Sequence, residues 1–259
     1  MITSAHNPKI KWLRALQSSS RQRREEGTFI VEGVRLSEEA LAGGWKARLV
    51  IYTEGLSERG LRVVEGFAAA EAPVEPVTEA AFKAASDTEA PQGLLAALEW
   101  QILPLPERLD FTFIPDLVRD PGNLGTMLRT ASAAGVQAIF LPPETADAFA
   151  PKVLRAAMGA HFRLPIQPTD WEALPARLSD LNVFLASAAD GQPYARADFR
   201  SPLALIVGGE AQGTSPQAER LATARVQIPM PGGAESLNAA VATGILMFEV
   251  VRQRHPQLR

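Results

Sequence analysis

Apolar positions along the chain follow two rhythms, short unbroken runs and runs spaced by three or four residues. Ile10, Leu13 and Leu16 recur at helical spacing, which predicts an amphipathic helix over residues 7–16. Ser18, Ser19, Ser20 and the arginines after them carry no apolar period and read as a mobile loop. The next runs predict strand 28–31, helix 33–41, strand 49–52, helix 58–70, strand 74–77, helix 78–85 and strand 94–98. Residues 1–100 therefore read as a small α/β domain.

Residues 101–110 hold Pro104 and Pro106, follow neither rhythm, and read as a linker. Alternation resumes over 111–259, with strands at 111–114, 136–141, 164–166, 183–186, 203–207 and 225–228. Between them the spacing predicts helices near 125–134, 152–158, 171–178 and 216–221. The final stretch, 237–251, is apolar on almost every side, which predicts a helix buried all round. Such alternation over short connections implies an α/β domain with a mainly parallel sheet, whose ligands sit at the carboxyl ends of the strands.

Composition narrows the class. The chain has 259 residues, 46% of them hydrophobic, enough for two modest globular domains or one large one. There is no cysteine, and His6, His161 and His255 make no metal-ligand spacing, so no metal is expected. No signal-peptide core or membrane-length apolar run is present, which points to a cytoplasmic protein without a membrane partner. The net charge of −3 hides an asymmetry: residues 1–24 hold Lys9, Lys11, Arg14, Arg21, Arg23 and Arg24 with no acid, leaving −9 for the rest. A basic arm on a mildly acidic protein suggests a polyanion partner such as a nucleic acid, bound with counterion release; the alternative is a solvated helix face with a frayed end.

Three glycine-bearing turns fall where strands are predicted to end. The first, over 116–134, places turn-forming Pro121 and Gly122 before Asn123, with Arg129 six residues further along an otherwise apolar helix. A guanidinium there can donate to phosphate or ribose oxygens, or be an ordinary surface arginine. The second, over 205–215, runs an apolar strand into Gly208, Gly209, Glu210 and Gly213. Its carboxylate can accept hydrogen bonds from a substrate or from neighbouring backbone. In the third, Pro229 and Pro231 stiffen the turn around Met230, and Gly232 and Gly233 leave main-chain groups open. Ser236 is the expected N-cap of the last helix, with Asn238 a second short polar group beside it. No Lys or Arg lies in 226–251, which argues against a triphosphate cradle and suits a flat heterocycle held by its edges. A tight strand-to-helix turn with no ligand is the plain alternative.

In this order the motifs resemble those of the SpoU (TrmH) family of RNA ribose 2′-O-methyltransferases, within the knotted SPOUT superfamily. Asn123, Gly125 and Arg129 match its first motif, and Gly208, Glu210 and Gly213 its second. Ile228, Pro229, Met230, Ser236, Leu237 and Asn238 match its third. Residues 152–165 resemble the family's connecting segment. Asn7-Pro8-Lys9, Glu32-Gly33 and Gln92-Gly93 resemble its N-terminal substrate-binding domain, itself similar to a ribosomal large-subunit protein. Ala157 stands where many members have Ser, and Ala239-Ala240 replace a commoner Val-Ser pair; neither removes a proposed catalytic group.

The resemblance implies a trefoil knot in the C-terminal domain, which general topology rules would not suggest, and a homodimer. It implies methyl transfer from S-adenosylmethionine to a ribose 2′-hydroxyl of RNA, ribosomal RNA of the large subunit being the first choice. Transfer RNA as substrate, or a non-catalytic RNA-binding relative, are the alternatives. An ordinary dinucleotide oxidoreductase is disfavoured because no GxGxxG follows the first strand of either half. The implied catalytic set is Arg129, Asn123, Glu210, Ser236 and Asn238. Gly208, Gly209, Ile228, Met230 and Leu237 would hold the cofactor, and Lys9, Lys11, Arg14, Arg21, Arg23 and Arg24 the RNA.

Overall fold

The computed structural model describes residues 1–210 and 213–258. The chain folds as two compact units, one from Met1–Gln101 with Phe149–Phe162, the other from Ile102–Ala148 with the chain from Arg163 onward.

In the first unit, α1 (Pro8–Ser18) begins where Asn7 accepts the Lys9 N–H and Pro8 supplies a preset first turn. Its Ile10, Leu13 and Leu16 are buried, as their spacing requires. The expected loop after it is instead a second helix, α2 (Ser20–Glu26), capped by Ser19 and ended by left-handed Gly27. An apolar-period test misses this helix because its buried anchor is an arginine. Arg23 donates to the carbonyls of Leu16 and Gln17, at 2.6 and 3.2 Å, closing the end of α1. The unit continues with β1 (Thr28–Glu32), α3 (Val34–Ala42), β2 (Ala47–Tyr52), α4 (Glu58–Ala69), β3 (Val74–Pro76), α5 (Glu79–Ala85) and β4 (Leu94–Glu99). The sheet order is β1-β4-β2-β3, with β4 antiparallel to both neighbours. Ile10, Leu13, Leu16, Ile30, Ile51, Phe82 and Leu95 fill the core.

No helix or strand forms over residues 101–110. Then follow β5 (Phe111–Asp116), α6 (Pro121–Ala133), β6 (Ala138–Leu141), α7 (Pro151–Ala157) and β7 (Ile166–Pro168). Of these, α7 belongs to the first unit, where Phe149 packs tilted against Phe29 and Phe162 meets Trp45 edge to face. A 3₁₀ turn at Trp171–Ala173 leads into α8 (Leu174–Arg177), so the single helix expected there is split between Ala173 and Leu174, with Pro175 in the first turn of α8. The rest is β8 (Asn182–Ala186), β9 (Gln192–Pro193), β10 (Leu203–Gly208), α9 (Pro216–Leu221), β11 (Ala224–Gln227) and α10 (Ala239–Arg254).

The second sheet has the order β7-β6-β5-β10-β8-β11-β9, and every pairing in it is parallel. From β5 the chain winds outward through β6 to β7, then returns to build the other side. The winding direction therefore reverses between β5 and β10, the place where an open parallel sheet leaves a crevice at its carboxyl edge. The core beside it holds Ile114, Phe140, Leu174, Leu185 and Ile206.

The last helix departs from the expectation of burial on all sides. Leu246, Met247 and Val250 are buried, but Val241 and Phe248, seven residues apart on one face, are 52% and 50% exposed. Among the described residues no helix is long and apolar enough to cross a membrane. Nor do they contain a group of three or more His, Cys, Asp or Glu arranged to hold a metal.

Candidate active site

Register alone brings the first two turns together. Asp116, the last residue of β5, lies beside Gly208, the last residue of β10. Leu117 then takes a left-handed φ of 53°, uncommon for a branched side chain, and turns the chain towards α6. A β-carbon on Gly209 would sit 2.3 Å from the Leu117 carbonyl oxygen, so glycine is what lets the two turns meet backbone to backbone.

Asp120 caps α6 by accepting the Asn123 N–H at 2.7 Å, with Pro121 at the first helical position. That fixes Asn123 one turn into the helix. Its Nδ2 donates to Glu210 Oε1 at 3.0 Å, and its Oδ1 accepts from Asn238 Nδ2 at 3.0 Å. Asn238 Nδ2 also donates to the same Glu210 oxygen at 2.5 Å, and the Ala239 N–H adds a third donor at 3.2 Å. Three side chains from three separate turns thus form a closed triangle. No hydrogen bond engages Glu210 Oε2 among the described residues, so that oxygen remains available.

Asn238, not Ser236, is the N-cap of α10, accepting the N–H groups of Ala240 and Val241. Both residues are good caps in isolation; the distant Glu210 and Asn123 select between them. Ser236 is exposed and lines the main cavity instead.

That cavity, of about 330 Å³, opens at the ends of β8, β10 and β11. All five residues expected to hold the cofactor, Gly208, Gly209, Ile228, Met230 and Leu237, line it. Sequence reasoning missed Ala186, Ser187, Thr214, Val226 and Leu246 on its wall. The carboxyl-edge rule could have found the first two, since 183–186 was legible as a strand. Among the described residues no Lys or Arg lines this cavity, and Glu210 is its one charged wall residue. Such a lining disfavours phosphates and accepts an uncharged nucleoside or a cationic group. A smaller cavity of about 110 Å³ lies against it, lined by Leu117, Arg119, Asp120 and Asn123. Gly209, Glu210 and Ala239 wall both.

Beneath the triangle, Asp116 is fully buried. Burial pushes its carboxyl above the usual aspartate range, partly offset by the Ser215 N–H donating to Oδ2 at 2.5 Å. Oδ1 has no partner. Asp116 thereby ties the Glu210 loop to β5, because Ser215 also caps α9 through its hydroxyl.

Arg129 stands apart from the triangle. It is exposed on α6 and makes no hydrogen bond or ion pair among the described residues. Six residues beyond Asn123, it projects about 120° away from it around the helix axis.

The basic stretch needs one correction. Arg23 is buried and spends its guanidinium on backbone carbonyls, so it is a structural residue and not an RNA contact. Lys9 pairs with Glu75, and Arg21 with Glu25. Lys11, Arg14 and Arg24 are exposed, with no acidic partner among the described residues.

Residues 110–248 match the model of the SpoU rRNA Methylase family, and residues 7–96 that of the MRM3-like substrate binding domain. The chain is 35% identical to the 23S rRNA (guanosine(2553)-2′-O)-methyltransferase RlmP of Bacillus subtilis, over 96% of this chain and 98% of that protein. It is similar to the AdoMet-bound rRNA methyltransferase from Sinorhizobium meliloti (TM-score 0.87, 34% identity, 97% of each chain). It is also similar to the SpoU methyltransferase AviRb from Streptomyces viridochromogenes in complex with AdoMet (TM-score 0.87, 28% identity, 96% of this chain and 98% of that one).

Proposed function

The chain belongs to the SpoU family of rRNA methylases, and on that premise we infer that it transfers a methyl group from S-adenosylmethionine to a ribose 2′-hydroxyl of ribosomal RNA. The observation that carries this reading is the closed triangle of Asn123, Glu210 and Asn238 between a phosphate-averse cavity and a smaller neighbour.

The residues present fit the cofactor. Ile228, Met230, Leu237 and Leu246 give apolar surface to a flat base, and the main chain from Gly208 to Glu210 and at Leu237 offers polar edges to the nucleoside. S-adenosylmethionine, when bound, supplies a methyl already activated by its sulfonium. What remains for the protein is alignment of donor and acceptor and help with the hydroxyl proton. Glu210 Oε1, held by three donors, fixes the wall between the two cavities, leaving Oε2 to accept a hydrogen bond. Asn123 lines the smaller cavity, where an acceptor ribose fits. Arg129, which makes no hydrogen bond or ion pair among the described residues, orients the hydroxyl or an adjacent phosphate and stabilises the forming oxyanion.

Family membership further supports a trefoil knot in the second unit. After β11 the chain returns past β8 and β10 to cap α10 beside Asn123, and α10 then packs on α6. The half-exposed Val241 and Phe248 support a homodimer closed over that face of α10. The 23S rRNA named as the substrate of its Bacillus subtilis relative supports placing the protein in the cytoplasm.

Incubation of the protein with methyl-labelled S-adenosylmethionine and separately with ribosomal and transfer RNA tests the reading. Label at a 2′-O position of ribosomal RNA is the expected result. Cofactor binding without transfer to either RNA would assign the chain to the non-catalytic relatives.

A further inference from the structure

The first unit contains a cavity of about 330 Å³ that the chemistry above does not use. Leu36, Ala90 and Met158 make it largely apolar, while Thr88, Gln92, Arg35 and Arg155 place polar groups on its wall beside the carboxylates of Glu32 and Glu39.

Its frame is built in advance of any ligand. Glu32, at the end of β1, accepts from Ser86 Oγ and Thr88 Oγ1 at 2.6 Å each, from the Asp87 N–H at 3.2 Å and from Gln17 Nε2 at 3.4 Å. This carboxylate is saturated, so its work is to hold the 86–88 rim in place. Gly33 then turns with φ +99°, and a β-carbon there would lie 2.9 Å from Gln92 Oε1. Only glycine lets Gln92 reach in and accept the Val34 N–H at 3.1 Å. With its oxygen committed, the Gln92 amide has its NH₂ left to offer, with no partner among the described residues. Arg155 donates one nitrogen to Asp87 at 3.1 Å, and its Nη1 is shut off from solvent with no partner among the described residues. Arg35 is exposed at the cavity mouth.

We propose that this cavity receives one unpaired nucleotide of the substrate RNA, its base between Leu36, Ala90 and Met158 and its phosphate at Arg35 and Arg155. The proposal rests on the reading of the protein as an RNA methylase whose first unit holds the substrate. A pocket with apolar walls, a fixed amide donor and cations fits a base with its phosphate, because single-stranded RNA is recognised through splayed-out bases held by their edges. A structured duplex presents no such group.

Met158→Trp, which fills the cavity, and Arg35→Glu, which reverses charge at its mouth, test this in the full chain. Ribosomal RNA binding is measured by filter retention, and S-adenosylmethionine affinity by calorimetry as the check on folding. Both variants are expected to weaken RNA binding about tenfold or more and to raise KM for RNA, with cofactor affinity and kcat at saturating RNA within twofold. RNA binding within twofold of the parent in both variants overturns the proposal. Weakening by Arg35→Glu alone also overturns it, since surface charge would then act without the cavity. If the parent binds ribosomal RNA but does not methylate it, the functional reading fails, while the binding comparison still decides the cavity.

Discussion

Asp116 and Ser215 lie 99 residues apart, yet the Ser215 N–H donates to the buried Asp116 Oδ2 at 2.5 Å. Together with the Gly209 N–H, which donates to the Asp116 carbonyl at 2.8 Å, this bond ties the loop that carries Glu210 to the strand that leads to Asn123. Because burial raises the Asp116 pKa in the folded protein, the folded state holds its proton to higher pH than the unfolded chain does. The stability contribution is therefore full below the ordinary aspartate range and lost as pH rises through the raised value. Asp116→Asn should flatten that decline in Tm across the acidic range. Asp116→Ala, which strands the Ser215 N–H, should cost about 1–3 kcal/mol at any pH. An unchanged Tm profile in Asp116→Asn would remove the titration from the account.

Asn238 performs two tasks that substitution can separate. Asn238→Ala loses both the helix cap and the amide donors, so it should lower stability by about 1 kcal/mol and methyl transfer by ~100-fold. Asn238→Asp keeps the cap acceptor but sets a carboxylate against Glu210. It should keep more helix stability than the alanine variant and still lose turnover. Full activity in the aspartate variant would show that the triangle does not matter to the reaction.

Arg129→Ala should leave S-adenosylmethionine affinity within a few-fold while transfer falls at least ~100-fold, the scale for losing a charge-stabilising donor. Calorimetry and single-turnover assays report the two quantities separately. Near-normal turnover would refute the role.

Deleting residues 1–24 would test RNA binding poorly, because Ile10, Leu13, Leu16 and Arg23 belong to the folded core. Neutralising Lys11, Arg14 and Arg24 together avoids this problem. The slope of log affinity against log salt should drop by roughly 2 if each meets one phosphate of single-stranded RNA. An unaltered slope moves the contact elsewhere on the protein.

Val241→Glu with Phe248→Glu should yield a monomer by light scattering, with the far-ultraviolet spectrum retained. Persistence of a dimer would place its interface away from this face of α10.

Much of this was legible beforehand, for definite reasons. Asn7-Pro8 announces a helix start because cap and proline act within a few residues of each other; Asp120-Pro121 carries the same signal, but the Pro121-Gly122 pair reads as a turn, so the helix expected from about 125 in fact begins at Pro121. Gly208, Glu210, Ile228 and Met230 were readable because they sit at the ends of unbroken apolar runs. What escaped depends on partners far off in the chain. The cap of α10 falls on Asn238 because Glu210 and Asn123 hold its amide, and α2 exists because Arg23 finds the end of α1. The two-residue β9 is too short for any period to register.

The excursion of residues 149–162 into the first unit constrains how such a protein can be remodelled. Neither half is an uninterrupted stretch of chain, so a gene cut at residue 101 would strip Phe29 and Trp45 of the rings of Phe149 and Phe162. Swapping in another RNA-recognition module by one crossover would leave an open wound in both pieces. Graftable versions must carry the α7 segment along.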